Sequence, residues 1–384
     1  MGTRRTFLVA AVLSACAAPS GGSPMAEVED AVVALACDAQ VVMLGEDSHH
    51  GGGTTQAFKA GVIPRLVNEC GFDTLAFEAS VYEFAELRRR AESGDTVTEA
   101  DVVTALGYLW GDTEEVAPLA RFVARGMNAG TLRVIGLDYR LGGFGQTYTA
   151  ESMASDVFEG LGGPREERCV AALREAASGG DADRRVLSDC YLAANRLSSR
   201  SLSDTAVSRG LVQRPESDAS VRLLALQTAL LHDINPAVRT VGRSPMMAKT
   251  LVAQTAEDAR VVVWASSAHT NHEGLQVRPG GEALPNVATS LAGSGFDRPL
   301  SIGFDAAGGA FRTVGGEVKP WPVSGGPSLA DGLMEREAAL LTDPGGVRDG
   351  AALGASVSSR DWSELFDAVV VFREMQPATK RPRP

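Results

Sequence analysis

The sequence predicts an α/β fold: a mainly parallel sheet flanked by helices, with an inserted helical subdomain. Three features of its 384 residues carry that reading. Short β-branched runs alternate with helical patterns along most of the chain. The runs are continuously apolar, as strands buried on both faces are. The alternation stops across 148–238, where only helical patterns remain.

The strand candidates are Val41–Leu44, Thr74–Phe77, Leu132–Leu137, Val261–Trp264, Leu300–Phe304 and Ala368–Phe372. Helices are expected from Gln56 to Glu69, from Val81 to Glu92, from Glu114 to Asn128 with Gly130 as a stop signal, and from Met246 to Ala259. Strand followed by helix, repeated, implies parallel pairing through right-handed crossovers. The α/β body is therefore expected over 31–147 and 239–378, and 148–238 becomes a helical insertion or lid, or simply further peripheral helices. Residues 379–384 mix Lys, Arg and Pro and are expected as a disordered tail.

The start of the chain has the pattern of an address. Thr3-Arg4-Arg5-Thr6-Phe7-Leu8 places twin arginines before an apolar stretch too short to span a bilayer, and Leu13-Ser14-Ala15-Cys16 matches a lipobox. Residues 1–15 are expected as a signal peptide, Cys16 as the lipidated first residue, and 16–30 as a tether; a plain secretory signal is the alternative. The protein is then exported, anchored through its N-terminal lipid and facing the periplasm or cell surface.

After Cys16 four cysteines remain, and an oxidising compartment permits disulfides. Cys37 and Cys70 each lie four residues before an apolar run, so if those runs are neighbouring parallel strands the two thiols stand level; Cys37–Cys70 is the expected bridge. Cys169 and Cys190 sit on consecutive helical segments and are placed to pair across a helical hairpin. Four free buried cysteines are the alternative. A net charge of -12 opposes nucleic acid and anionic membrane surfaces, which are bound through Lys and Arg. Beyond the first dozen residues no apolar run approaches the roughly 20 needed to cross a bilayer.

In parallel sheets ligands collect beyond the carboxyl ends of the strands, and the residues there are of one kind. The first run is followed by Glu46, His49 and His50, the second by Glu78, the third by Asp138, and the fourth by Ser266, His269 and His272; four of the five histidines fall in two loops. An imidazole beside a carboxylate can act as a general base toward water, the carboxylate fixing its tautomer. A second histidine, an arginine or the amides of Gly51-Gly52-Gly53 would serve a developing oxyanion. There is no Gly-x-Ser-x-Gly elbow and no His-Glu-x-x-His helix, so neither a serine nucleophile nor a zinc protease is supported.

The Gly-Glu-x-x-His pattern at Gly45, "GFDTLAFEAS", "LRVIGLDYR" and Trp264-Ala265-Ser266-Ser267-Ala268-His269 together resemble the erythromycin esterase family. "YLWGDTEEVAPLARFVARGMN", "GRSPMMAKTL", "SLAGSGFDRPLSIGFDAAGGAF" and "FDAVVVFREMQPAT" follow the family's order from about Cys37 to Thr379. The resemblance implies hydrolysis of a carboxylic ester or lactone by histidine-activated water. It assigns His49 as base, Glu46 and Glu78 as acidic partners and His269 as second histidine. Arg243 would steady an anion or substrate carbonyl, with Asp138, Ser266 and Trp110 beside the small-molecule substrate.

Three positions depart from the family's pattern. An extra residue in His49-His50-Gly51 makes His50 the alternative base, Ser266 stands where the family has a histidine, and Ser244 stands where it has an aspartate after the arginine. Three readings follow. The first is a hydrolase needing no cofactor. The second uses the same residues to hold a divalent metal. The third is a lipoprotein that binds a small molecule or haem without turnover.

Overall fold

The computed structural model describes residues 24–46, 50–141, 147–158, 163–202, 218–234, 243–274, 283–291, 294–331, 333, 336–353 and 357–381. Its strands are β1 (Val41–Leu44), β2 (Thr74–Ser80), β3 (Arg133–Asp138), β4 (Val261–Trp264), β5 (Leu300–Ala306), β6 (Ala310–Arg312), β7 (Val318–Pro320), β8 (Ala338–Leu341), β9 (Arg348–Gly350), β10 (Ser358–Arg360) and β11 (Ala368–Phe372). Seven of them form one sheet in the order β3-β2-β4-β1-β5-β11-β8. Every pairing in it is parallel except that of β8 with β11. The expected α/β class holds.

Residue parity along the strands sorts side chains between two helical layers. Val42 and Leu44 of β1 and Val262 and Trp264 of β4 pack against α2 (Gly53–Cys70) together with Phe58, Ile63 and Leu66. Their neighbours Val41, Met43, Val261 and Val263 point the other way, onto Met247 and Leu251 of a helix over Ser244–Gln254. Both faces are covered, which is why the runs read as continuously apolar. The edge strand β8 was not foreseen: its sequence, Ala-Ala-Leu-Leu, lacks β-branched residues.

The remaining helices, in chain order, are α1 (Pro24–Ala36), α3 (Val81–Glu92), α4 (Glu99–Leu106), α5 (Ala117–Asn128), α6 (Thr147–Glu151), α7 (Met153–Phe158), α8 (Pro164–Ala177), α9 (Arg184–Leu202) and α10 (Asp218–Ile234); Ser244–Gln254 is α11, followed by α12 (Ser267–Thr270) and α13 (Val287–Leu291). Buried residues of α7 to α10 form a second apolar cluster that closes onto Val81 and Tyr82 of α3 and onto Tyr139. Helix α1 starts inside the segment expected as a tether, because Val28, Val32 and Val33 give it an apolar stripe that joins the main core. Nor are residues 379–381 a disordered tail. Thr379 bonds to Glu114 and Glu115, Lys380 to Asp112 at 2.5 Å and Arg381 to Glu99 at 3.1 Å.

Both disulfides form as paired in the sequence reading, with Cα separations of 5.0 Å for Cys37–Cys70 and 5.5 Å for Cys169–Cys190. The argument for the first needs correcting, since β4 lies between β1 and β2. Cys37 follows α1 and Cys70 ends α2, and Arg260, just before β4, donates to the carbonyls of both cysteines. Gly71 then reverses the chain at φ 72, a left-handed conformation that a side chain would disfavour. Cys16 lies outside the described residues.

Loop closure over a separation of 21 residues gives the Cys169–Cys190 bridge a stabilisation of about 3 kcal/mol. Replacing both cysteines by alanine should lower the denaturation midpoint accordingly, and non-reducing intact-mass measurement of wild type should show four fewer protons than four free thiols require. A mass matching free thiols would contradict both bridges.

Candidate active site

Beyond Leu44 the parity of β1 continues, so Glu46 faces the α2 layer and is buried to 1% exposure. A carboxylate there must be met by donors, since an unpartnered buried charge is strongly unfavourable. Four side chains meet it. His50 Nδ1 lies 2.5 Å from Oε1, Trp110 Nε1 donates to Oε1 at 2.6 Å, Trp264 Nε1 donates to Oε2 at 3.0 Å, and Lys59 Nζ reaches Oε2 at 3.3 Å. Burial pushes the Glu46 carboxyl up, but Lys59, His50 and Trp110 outweigh it and hold it below the usual carboxylate range.

His50 is 8% exposed and adopts φ 55, the left-handed region uncommon for a residue with a side chain. Gln56, fully buried on α2, holds that backbone by donating to the His50 carbonyl at 2.6 Å. Trp110 meets the imidazole edge-on with centroids 5.1 Å apart. The contact with Glu46 engages Nδ1 and orients the ring. His50 also lines a cleft together with Gly51, Tyr108, Leu109, Thr113 and Arg312.

A second constellation centres on Arg243, immediately before α11. Its guanidinium donates to Glu78 Oε1, to Asp138 Oδ2 at 2.8 Å and to His269 Nε2 at 2.7 Å. A guanidinium only donates, so His269 accepts at Nε2 and its Nδ1 proton goes to Ser244 Oγ at 2.7 Å. The longer 3.2 Å approach of Nε2 to Glu78 is then proximity without a shared proton. Burial raises the Glu78 carboxyl, yet His269 and the Arg243 guanidinium beside it hold it well below the ordinary range. The backbone amide of Ser266 donates to Glu78 Oε2 at 2.9 Å, and that of Ser267 donates to the Glu46 carbonyl at 2.8 Å. The turn after β4 thus links the Glu78 carboxylate to the backbone of Glu46.

The strand-end residues picked from sequence come together as two pairs, Glu46 with His50 and Glu78 with His269, rather than as one ring of four. His49 lies outside the described residues. Trp110, expected beside substrate, is fully buried as a partner of Glu46, delivered by the turn after α4. Asp138 is also buried, held by Arg243 and by Arg140 at 2.7 Å. His272 turns away to Asp367 at 2.7 Å. The glycine run is not an amide cradle: Gly53 donates to the Gln376 carbonyl at 2.7 Å, and the Gly51 carbonyl accepts from Arg312 and Ala378. A Cβ on Gly51 would stand 1.6 Å from the Arg312 carbonyl oxygen. Lys59 and Gln56 were missed, although Lys59 with Val62, Ile63 and Leu66 falls on one fully buried helical stripe, which is a signal.

Among the described residues no group of three or more His, Cys, Asp or Glu is placed to hold a metal ion. The donor set agrees, because a divalent ion at Glu46 or Glu78 would have to displace Lys59 or Arg243 from carboxylates they already neutralise. Also among the described residues, no helix is long and apolar enough to cross a membrane.

The profile of the erythromycin esterase family matches residues 67–375. No curated protein is significantly similar in sequence. Among solved structures, a Bacillus cereus protein superposes with a TM-score of 0.68 at 16% identity, covering 94% of this chain and 95% of its own. A succinoglycan biosynthesis protein gives 0.67 at 16%, covering 91% of each. A histidine-to-asparagine mutant of the erythromycin esterase EreC in its open conformation gives 0.62 at 14%, covering 92% and 94%. At these identities the superpositions show a shared fold.

The two depressed carboxylates predict a pH dependence. Each contributes stability that is present above the unfolded glutamate value of about 4.3 and is lost as pH falls through its folded value. Unfolding free energy should therefore fall on acidification below about pH 5, and Glu78→Gln should flatten that fall; identical slopes from denaturant titrations between neutral and acid pH would contradict it. Arg243→Met leaves the buried Glu78 carboxylate without its guanidinium partner and should lower stability by about 3 kcal/mol.

Proposed function

This chain belongs to the erythromycin esterase family, and from that premise we propose that it hydrolyses a carboxylic ester or lactone with water activated by a histidine. The observation that carries the proposal is the contact of His50 Nδ1 with the buried carboxylate of Glu46 at 2.5 Å. Glu46 fixes the tautomer, so Nε2 takes a proton from water as the hydroxide attacks the carbonyl. The imidazolium that forms lies against a fixed negative charge and returns the proton to the departing alkoxide. Water and ester are consumed, acid and alcohol formed, and the base is restored. Arg243, with His269, supplies positive charge and a polar surface for the oxyanion.

His50 is the imidazole whose geometry supports the base. His49, favoured by its spacing from Glu46, is tested beside it. The two disulfides support an oxidising compartment, consistent with export and with a lipid on Cys16. Substitution Cys16→Ala should then release the protein from the membrane fraction.

A panel of aryl and aliphatic esters and lactones tests the reaction. His50→Ala should lower kcat/KM by at least about 100-fold, the usual contribution of a general base, while His49→Ala changes it far less. Loss on His49→Ala alone would move the base to His49. Full activity in both variants would overturn histidine-activated water. Treatment with a strong chelator should leave the rate unchanged, and loss restored by a divalent ion would replace this mechanism with a metal-dependent one.

A further inference from the structure

Lys59 is fully buried, with its ammonium between the rings of Trp264 and Phe304 at 4.8 and 5.1 Å from their centroids. Nζ donates to the Leu44 carbonyl at 3.1 Å and to Glu46 Oε2 at 3.3 Å. The neighbours of Lys59 on the stripe, Val62, Ile63 and Leu66, are what the core itself selects.

The charge balance around His50 shows what the ammonium does. Glu46 alone against the imidazole would favour an added proton, because Glu46 with imidazolium is a neutral buried pair and Glu46 with neutral imidazole is a net negative one. Lys59 reverses that preference: with it, the neutral imidazole gives the electroneutral arrangement. Among the described residues, charged or titratable neighbours are Glu78 near the end of β2, whose negative charge interacts with His50, and Arg312, Lys380 and Tyr108, which share the His50 cleft. Arg312 is tied to the Ala378 carbonyl and Lys380 to Asp112, so both are partly offset where they stand. Among these groups Lys59 is the cation that bonds to the same carboxylate as His50.

We propose that Lys59 is a positioning residue of the hydrolytic site: its ammonium, seated on Glu46, keeps the Glu46–His50 pair from retaining an extra proton at neutral pH, so that the imidazole meets water as a neutral base. This rests on His50 acting as the base. Lys59 touches neither substrate nor water in the scheme. It acts through Glu46, whose second oxygen it holds while His50 and Trp110 hold the first.

The test is the pH profile of kcat/KM on an ester that the wild-type protein cleaves, paired with an NMR titration of the His50 ring, assigned by its loss in His50→Gln. Lys59→Met should raise the midpoint of the acid limb by about one pH unit or more, a tenfold or greater rise in proton affinity. Activity should return at higher pH, and the NMR midpoint should move in parallel. Lys59→Arg, which keeps the charge, should leave the midpoint near that of wild type. Lys59→Gln keeps a donor and most of the volume, and carries the same expectation as the methionine variant should that one fail to fold. A uniform loss of kcat with both midpoints unmoved would overturn the proposal and reduce Lys59 to a structural role. Because the ring titration needs no turnover, a moved NMR midpoint with hydrolysis retained in His50→Ala would sink the base assignment while upholding the coupling to Lys59.

Discussion

An ionised carboxylate removed from water must collect donors from whatever surrounds it, and Glu46 collects four from four parts of the chain: His50 from the loop after β1, Lys59 from α2, Trp110 from the turn after α4 and Trp264 from the end of β4. Each contact also fixes the element that makes it. Trp110 and Trp264 pack with centroids 5.8 Å apart, and both lie near Phe77 of β2. The core on the α2 face is therefore assembled around a polar point. Apolar burial supplies most of the driving force, while Glu46 decides the register in which these rings meet.

The parity of the strands explains why the site comes in two halves. Leu44 and hence Glu46 face α2, whereas Ala76 of β2 faces α11, and Glu78 follows it toward Arg243. Each half holds one glutamate, one histidine and one cation. Lys59 serves the first and Arg243 the second, and neither carboxylate is left to be neutralised by a proton. The turn after β4 joins the halves through the amides of Ser266 and Ser267. The turn needs no side chain for this, so its linking function is invisible in residue type.

Much of the sheet is legible in the sequence because a strand buried on both faces needs uninterrupted apolar residues; all six expected runs are strands. The crossing of β4 between β1 and β2 is not legible, since strand order is set by which crossovers pack and not by any one run. The Cys37–Cys70 bridge forms all the same, because Arg260 gathers both helix ends beneath β4. At the site, Glu46, Glu78, Asp138 and His269 stand out by their place after the apolar runs. Lys59 does not, because a lysine in an amphipathic helix ordinarily marks the solvated face, and only its phase with Val62, Ile63 and Leu66 betrays it. Spacing from Glu46 alone favours His49 over His50. His50 reaches Glu46 from a left-handed backbone conformation that Gln56 holds, and no count of residues reveals that.

The two serines that depart from the family's pattern act on one histidine. At 244 an aspartate would place a negative charge beside His269 Nδ1 and favour the imidazolium, whereas the Ser244 hydroxyl accepts the same proton without charge. At 266 a histidine would add a second imidazole near Glu78, whereas Ser266 contributes its amide. Both changes remove charge from around His269 and leave Arg243 as its dominant neighbour. An imidazole that accepts from a guanidinium has its acceptor nitrogen already engaged. In the proposed mechanism the half of the site built on Glu78 holds a polar substrate group, and proton transfer is assigned to the half built on Glu46. That division follows from the hydrogen-bond directions at one ring, and it ties the identity of residues 244 and 266 to the choice of His50 over His269 as the proposed base.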